Sequence, residues 1–133
     1  MCLSAGNWHA ALPATAFTLR WTHSIEKIEW DEDYEIAGAW LLLSQARIRG
    51  SGAGMEPPAG ARLFDGAWHY RPADRWRRRL LLARSVYAAD YRICIAGGCR
   101  PLSDWIPVAA GTTTLSACAQ NSQSGSSSEI GGT

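Results

Sequence analysis

The stretch AFTLRWTHSIEKIEWDEDYEI, residues 16–36, carries the clearest structural pattern in the chain. From Ala16 to Thr22, apolar residues alternate with polar ones, which is typical of a strand with one buried face. From Glu26 onward the apolar residues occupy even-numbered instead of odd-numbered positions. Because strand side chains alternate strictly, their phase changes only where an extra residue or a turn interrupts the strand. The stretch therefore predicts two strands with a bulge or turn near residues 23–27.

Further short runs with strand character follow, separated by turn residues. Ala37-Gly38-Ala39 predicts a turn, and Asp65-Gly66 predicts a tight hairpin. The predicted strands after residue 36 cover residues 40–49, 62–64, 67–71, 79–84, 90–96 and 100–106. Many short strands without a clear amphipathic helix indicate an all-β fold. We expect a single small antiparallel β-sandwich or barrel of about eight short strands.

The chain has 133 residues, which suits one domain. We assign the β domain to residues 17–118 and expect the polar, low-complexity residues 119–133 to be disordered. Residues 1–16 contain Ala14-Thr15-Ala16, which resembles a signal-peptidase site, but no basic residue precedes it. This segment is interpreted either as the remnant of an export signal or as a mature N-terminus. No run approaches the roughly 18 apolar residues of a membrane span.

The charges are balanced in number but unevenly placed. The net charge is +1, and acidic residues concentrate in residues 26–35, whereas eleven arginines lie in residues 47–100. This separation favours internal ion pairs over an external charged partner. Aromatic and arginine residues in 68–70 and 76–79 are also typical of single-stranded nucleic-acid binding. With so small a net charge we favour a core strand there and expect no nucleic-acid partner.

The four cysteines favour two disulfides. Cys94 and Cys99 flank Ile-Ala-Gly-Gly, a natural tight turn between two strands, and a disulfide would close that hairpin. Cys2 would then pair with Cys118 and tie the two ends of the domain, which requires an oxidising compartment. A zinc site is the alternative, but the spacing does not match paired zinc-knuckle motifs. We expect no metal and no cofactor.

The densest set of polar residues lies between and within the first two strands, at His23, Ser24, Glu26, Lys27 and Glu32. A hydrolase is one interpretation, but adjacent strand residues point to opposite faces and no nucleophile turn is present. An ion-pair network is the other interpretation, and we favour it. Glu32 falls on the apolar face, so we expect Lys27 or a later arginine to pair with it.

The segment GSGAGMEPP, residues 50–58, predicts an irregular loop. Glycine-rich loops can hold phosphate through backbone amides, but here no Gly-Lys-Ser/Thr ending follows. A surface crossover with Met55 against the core and a recognition loop are the other two interpretations. The candidate binding residues in this loop are Gly52, Gly54, Met55 and Glu56.

Three quoted pieces together resemble the bacterial family called domain of unknown function 1850. They are FTLRWTHSIEKIEWDEDYEI, RIRGSGAGMEPPAGARLFDGAWHYRP and LLLARSVYAADYRICIAGGCRPLSDWIP, and the resemblance runs from about Ala16 to Cys118. The positions that carry the family pattern are His23, Ser24, Glu26, Lys27, Glu32, Gly52, Gly54, Glu56, Pro57, Cys94 and Cys99. The apolar leader is shorter and more broken than the resemblance implies.

The resemblance implies a small exported or membrane-associated protein without an assigned enzymatic activity. Such proteins are commonly encoded beside the permease and the solute-binding protein of TAXI-type tripartite ATP-independent periplasmic (TRAP) transporters. We therefore expect a non-enzymatic, periplasmic or membrane-associated accessory protein, with the permease or the solute-binding protein as its partner. An independent small-ligand module that binds anions is the alternative, and a hydrolase is the less favoured third.

Overall fold

The computed structural model describes residues 1–22, 27–49 and 59–118, which form twelve β-strands and two short 3₁₀ helices. The strands are β1 (Cys2–Ala5), β2 (Trp8–Ala11), β3 (Ala16–Thr22), β4 (Glu29–Ala37), β5 (Trp40–Arg49), β6 (Arg62–Phe64), β7 (Ala67–Tyr70), β8 (Trp76–Arg77), β9 (Arg79–Leu82), β10 (Arg92–Ile95), β11 (Gly98–Pro101) and β12 (Thr113–Ser116). The helices are Leu102–Asp104 and Val108–Ala110. The all-β class is confirmed, and the predicted tail, residues 119–133, lies outside the described residues.

The strands form two antiparallel sheets. The larger sheet has eight strands in the order β11-β10-β3-β4-β5-β7-β6, with β8 also paired to β5. The smaller sheet has the order β2-β1-β12-β9. Buried side chains of both sheets belong to one apolar core, which makes the fold a sandwich. The core includes Leu3, Leu82 and Leu115 from the smaller sheet and Phe17, Leu43 and Ile93 from the larger sheet.

The N-terminal segment belongs to the sandwich. Strand β1 lies between β2 and β12, and Leu3 is only 1% exposed. The apolar residues of β1 recur at every second position, so one face of this strand covers the core. A boundary at residue 17 therefore does not separate two structural units. These two strands also help to explain why the count is twelve instead of about eight, while an export role for residues 1–16 stays a prediction.

The phase change in residues 16–36 is explained by strand pairing. Strands β3 and β4 are antiparallel, and Trp21 lies opposite Trp30 while Leu19 lies opposite Glu32. Odd positions of one strand therefore share a face with even positions of the other. The pairs Trp21–Trp30 and Leu19–Glu32 lie on the inner face of the sheet, toward the core. The pair Arg20–Asp31 lies on the outer face.

Strand β5 changes phase once more, and this bulge was not predicted. Asp33 of β4 lies opposite Gln45, but the next residue, Tyr34, lies opposite Leu43. Ser44 is the extra residue, and its hydroxyl donates a hydrogen bond to the Asp33 carbonyl oxygen at 3.2 Å. The bulge places Leu43 on the inner face while residues 45, 47 and 49 stay on the outer face.

Both predicted disulfides are present. Cys2 pairs with Cys118, and Cys94 pairs with Cys99 across the β10–β11 hairpin. The described residues contain no free cysteine. Two disulfides in a chain of this size indicate an oxidising environment.

Candidate functional site

The two sequence segments with the family pattern leave the larger sheet at the same end. Thr22, where β3 ends, lies opposite Glu29, where β4 begins, and Glu29 lies opposite Arg49, where β5 ends. The strand ends that flank residues 23–28 and the strand end that precedes residue 50 are therefore neighbours. The predicted site residues His23, Ser24, Glu26, Gly52, Gly54, Met55 and Glu56 lie outside the described residues.

Lys27 and Glu32 are both described, and they do not pair with each other. Lys27 is exposed and has a left-handed backbone with φ of 59°. Glu32 forms no ion pair with any described lysine or arginine; its Oε1 accepts hydrogen bonds from Trp21 Nε1 and from the Tyr34 hydroxyl, both at 3.4 Å. The expectation of a cationic partner for Glu32 is thus wrong for the described part of the chain. The reason is strand alternation, because the arginines beside β4 lie on the outer face and Glu32 lies on the inner face.

Glu32 sits among aromatic side chains. Burial raises its pKa, and the hydrogen bonds from Trp21 and Tyr34 and the charge of Arg77 only partly oppose this effect. Trp21 and Trp30 stack with ring centroids 5.3 Å apart. Trp30 Nε1 is buried and has no hydrogen-bond partner among the described residues. On β4, the Glu32 carboxylate accepts only two hydrogen bonds from the described residues, both at 3.4 Å, and the Trp30 N–H, which is unpaired among them, lies two residues before it.

Replacing Glu32 with glutamine should raise the free energy of unfolding at neutral pH. The pKa of Glu32 is higher in the folded protein than its ordinary value of 4.5, so stability is lost as pH rises through the folded-state pKa. Glutamine keeps an acceptor for the two donors and never ionises. Urea unfolding below pH 4.5 and at neutral pH measures the difference.

Glu35→Gln provides the matched control, since it makes the same change on the same strand at an exposed side chain. A Glu32→Gln variant that keeps the wild-type dependence of stability on pH would contradict this account of Glu32.

The outer face of the same strands carries an ion-pair network centred on Asp31, which is 0% exposed. Arg20 donates to both of its oxygens, from Nε at 2.8 Å and from Nη2 at 3.2 Å. Arg49 donates from Nη2 at 3.1 Å, and Arg47 Nε lies 3.6 Å away. Burial alone would raise the pKa of Asp31, but the hydrogen bonds and charges of Arg20 and Arg49 outweigh it and lower that pKa.

Asp33 extends the network along β4. Arg47 binds both oxygens of Asp33, and the Thr18 hydroxyl donates to Oδ1 at 2.6 Å. Burial opposes ionisation here too, but Arg47 and Thr18 lower the pKa of Asp33. The predicted internal pairing of acids with arginines is confirmed by these contacts. The three carboxylates of Glu29, Asp31 and Asp33 balance the three arginines of the network.

A solvent-open cleft of about 740 Å³ lies over this network. We call it the outer cleft. On one side it is bordered by the Cys94–Cys99 disulfide, and on the other by His69. The His69 ring stacks on Phe64 with centroids 3.7 Å apart, accepts from Gln45 Nε2 at 3.0 Å and donates from Nε2 to the Phe64 carbonyl oxygen at 3.2 Å. Both walls are therefore held in place by covalent or hydrogen bonds.

The outer cleft is not among the sites predicted from the sequence. Alternation alone places Glu29, Asp31, Asp33 and Glu35 on one polar face of β4, and it does not show that Asp31 is fully buried there. The available signal was the two-residue spacing of Arg47 and Arg49, which matches that of Asp31 and Asp33. Pairing two such strands side by side would have predicted the network.

Within the described ranges, no group of three or more His, Cys, Asp or Glu side chains is arranged to hold a metal ion. The described residues also include no helix with the length and apolar character needed to cross a membrane.

Comparisons with known proteins give one family. No curated protein and no solved structure matches the chain. The model of the family described as domain of unknown function (DUF1850) matches residues 17–102, which span β3 to the first 3₁₀ helix. The match includes Glu32, the Asp31 network and the Cys94–Cys99 hairpin. The chain belongs to the domain of unknown function 1850 family.

Proposed function

We propose that this protein is a non-enzymatic accessory protein of a TAXI-type TRAP transporter, and that the outer cleft is the surface with which it binds the permease or the solute-binding protein. The observation that carries the proposal is the cleft itself, about 740 Å³ of open space on a polar sheet face. Side chains at a binding surface favour affinity when they are already ordered, because little entropy is then lost on association. Membership of the family supports the transporter association that the resemblance implies.

The chemistry of the cleft floor supports binding of a partner with mixed charges. Arg20 and Arg47 are already paired with Asp31 and Asp33, so a simple anion would compete with carboxylates for the same N–H groups. A protein surface that carries both charges can instead place its cations against the acids of the cleft floor and its anions against the arginines. Glu35 lines the cleft, is exposed and forms no ion pair with a described residue, so it is free to contact such a partner.

The location that fits this function is the periplasm. Disulfides persist in that compartment, and the solute-binding protein of a TRAP system works there. The Cys94–Cys99 disulfide borders the cleft, so an oxidised hairpin is part of the surface that we propose to bind.

Replacing Glu35 with arginine should weaken association with the transporter by roughly tenfold, because it reverses a charge inside the cleft. The measurement is cross-linking of the native protein in cells, followed by quantification of the captured permease and solute-binding protein. The matched control is Asp74→Arg, which makes the same kind of change at a side chain that is 88% exposed and does not line the cleft. Equal capture by wild type and Glu35→Arg would refute the role of the cleft.

The size of the cleft also favours a second candidate, an independent small-ligand binding module. A volume of about 740 Å³ lies within the roughly 300–1,000 Å³ of ligand sites. Thermal-shift screening of organic acids and amino acids distinguishes the two functions, because a specific ligand raises the melting temperature by mass action. A ligand that stabilises the wild type but not Glu35→Arg, without any capture of transporter subunits, would favour the second candidate.

A further inference from the structure

Two tryptophans stand side by side on the outer face of the larger sheet, next to the end of the outer cleft at Glu35. Trp40, at the start of β5, is 40% exposed, and Trp76, in β8, is 51% exposed. Their rings meet edge to face with centroids 6.3 Å apart, and the guanidinium carbon of Arg78 lies 5.0 Å from the Trp40 ring centroid. These contacts hold both rings in place although neither is buried. None of the three residues lines the outer cleft.

The neighbouring hairpin tip is apolar. Residues Ala37, Gly38 and Ala39, which join β4 to β5, are all exposed. The run IAGAWLLL, residues 36–43, contains no charged residue. The exposed Trp40 therefore lies beside a turn that carries no charged residue.

Positive charge collects beside this tip. Residues 71–79 contain five arginines and one carboxylate, Asp74, which pairs with Arg77 at 3.3 Å. Among the described residues, the other four arginines, at positions 71, 75, 78 and 79, make no ion pair. Of the six described arginines without an ion pair, four therefore lie in residues 71–79, and the other two are Arg62 and Arg92.

We propose that Trp40, Trp76 and Arg78, together with the tip residues Ala37–Ala39, dock the protein on the surface of an anionic lipid bilayer. We call this set the tryptophan patch. Tryptophan is enriched at the membrane–water interface, because its ring is apolar and its N–H can remain hydrated. Arginines next to it gain from the negative potential of anionic headgroups. Exposed tryptophans with an arginine against their rings therefore combine the apolar and the cationic contact that an anionic bilayer surface offers.

The patch adjoins the outer cleft, because Glu35, Leu42 and Trp76 lie opposite one another on β4, β5 and β8. The two bind different partners, however, so the inference can fail independently of the proposed function. Docking through the tryptophan patch would hold the outer cleft close to a membrane and restrict the search for a membrane-embedded partner to two dimensions. The cleft could bind its partner without the patch, and the patch could bind lipid without the transporter.

Sedimentation of the purified full chain with lipid vesicles tests the proposal. The wild type should bind vesicles of phosphatidylcholine and phosphatidylglycerol more tightly than vesicles of phosphatidylcholine alone, and added salt should weaken this binding. Trp40→Ser with Trp76→Ser should weaken binding by roughly an order of magnitude or more, because the apolar contact is lost. Arg78→Gln should weaken it by about fivefold, which is the contribution of one arginine near an anionic surface.

Trp8→Ser and Arg100→Gln are the matched controls. Trp8 is 53% exposed on β2 and Arg100 is exposed on β11, each on a strand at the edge of its sheet. Both controls should bind vesicles as the wild type does, and circular dichroism should show that every variant is folded. The proposal is overturned if the wild type does not sediment with anionic vesicles, if it binds neutral vesicles equally well, or if the tryptophan variant still binds. Loss of transporter capture by the tryptophan variant without any vesicle binding would instead assign the patch to a protein surface.

Discussion

Replacing both Cys2 and Cys118 with serine should lower the free energy of unfolding by about 5 kcal/mol. The disulfide joins residues 116 positions apart, so it removes much conformational freedom from the unfolded chain. It also fastens β1, which lies inside the smaller sheet, to the residues that follow β12. Urea unfolding of the oxidised wild type and of the double variant measures the loss.

The second disulfide of the same chain is the control. Cys94 and Cys99 are only five positions apart, so the same chain-entropy model gives about 2 kcal/mol for Cys94→Ser with Cys99→Ser. The comparison is between the two decreases in the free energy of unfolding, measured in the same solvent and at the same temperature. The chain-entropy model predicts the larger decrease for the longer loop. Equal losses would show that chain entropy does not account for the stabilisation.

Replacing Asp31 with asparagine should lower the free energy of unfolding by about 3 kcal/mol. The side chain is 0% exposed, and the change removes the negative charge on which Arg20, Arg47 and Arg49 converge. Loss of one member of a buried ion pair costs about 3–5 kcal/mol. The lower end applies because the three arginines are partly exposed and can be hydrated by water.

The same variant should alter the response of the protein to acid. The pKa of Asp31 in the folded protein lies below its ordinary value of 3.8. Its contribution is therefore complete above pH 3.8 and is lost as pH falls through the folded-state pKa. Asp31→Asn should flatten the stability curve in that acidic window. Asp74→Asn, at a side chain that is 88% exposed, is the control and should change stability by no more than about 0.5 kcal/mol.

Alternation and turn chemistry were sufficient to predict most of the larger sheet. Residues 16–22 and 40–49 form strands as predicted, and the Asp65-Gly66 turn joins β6 to β7. The positive φ values of Asp65 and Gly66, 55° and 76°, are those that such a two-residue turn requires. A two-residue turn, Ala96-Gly97, also joins Ile95 to Gly98, so Cys94 and Cys99 lie opposite each other and their pairing could be predicted from spacing.

The rest of the fold depends on contacts between distant segments. Residues 2–11 form strands because β12, more than 100 positions later, supplies a partner for β1. Residues 102–106 were predicted as strand, but Leu102–Asp104 form a 3₁₀ helix after β11 ends at Pro101. Leu102 and Ile106 belong to the apolar core. Because they follow an edge strand, they can cover the core without forming a strand that pairs with another.

The candidate site was predicted in part. The sequence placed Glu32 on an apolar face, which is correct, and assigned it a cationic partner, which is wrong for the described residues. The arginines of the strands beside β4, Arg20, Arg47 and Arg49, lie on its other face, and Arg77 acts on Glu32 through its charge without forming an ion pair. The outer cleft depends on bringing β10 beside β3, a pairing of residues more than 70 positions apart that no local pattern indicates.

The extra residue at Ser44 sets a rule for comparing relatives of this protein. On the two sides of Ser44, strand β5 buries residues of opposite parity, Leu41 and Leu43 before it and Ala46 and Ile48 after it. Deleting one residue there would turn Arg47 and Arg49 toward the apolar core, or the leucines toward solvent. Consider a relative that lacks one residue between the parts of β5 before and after Ser44. In one of these two parts, its apolar residues must occupy the positions that are polar here, and its polar residues the positions that are apolar here. Alignments of the family can be checked at this position, because a gap placed elsewhere in the strand would pair buried positions with exposed ones.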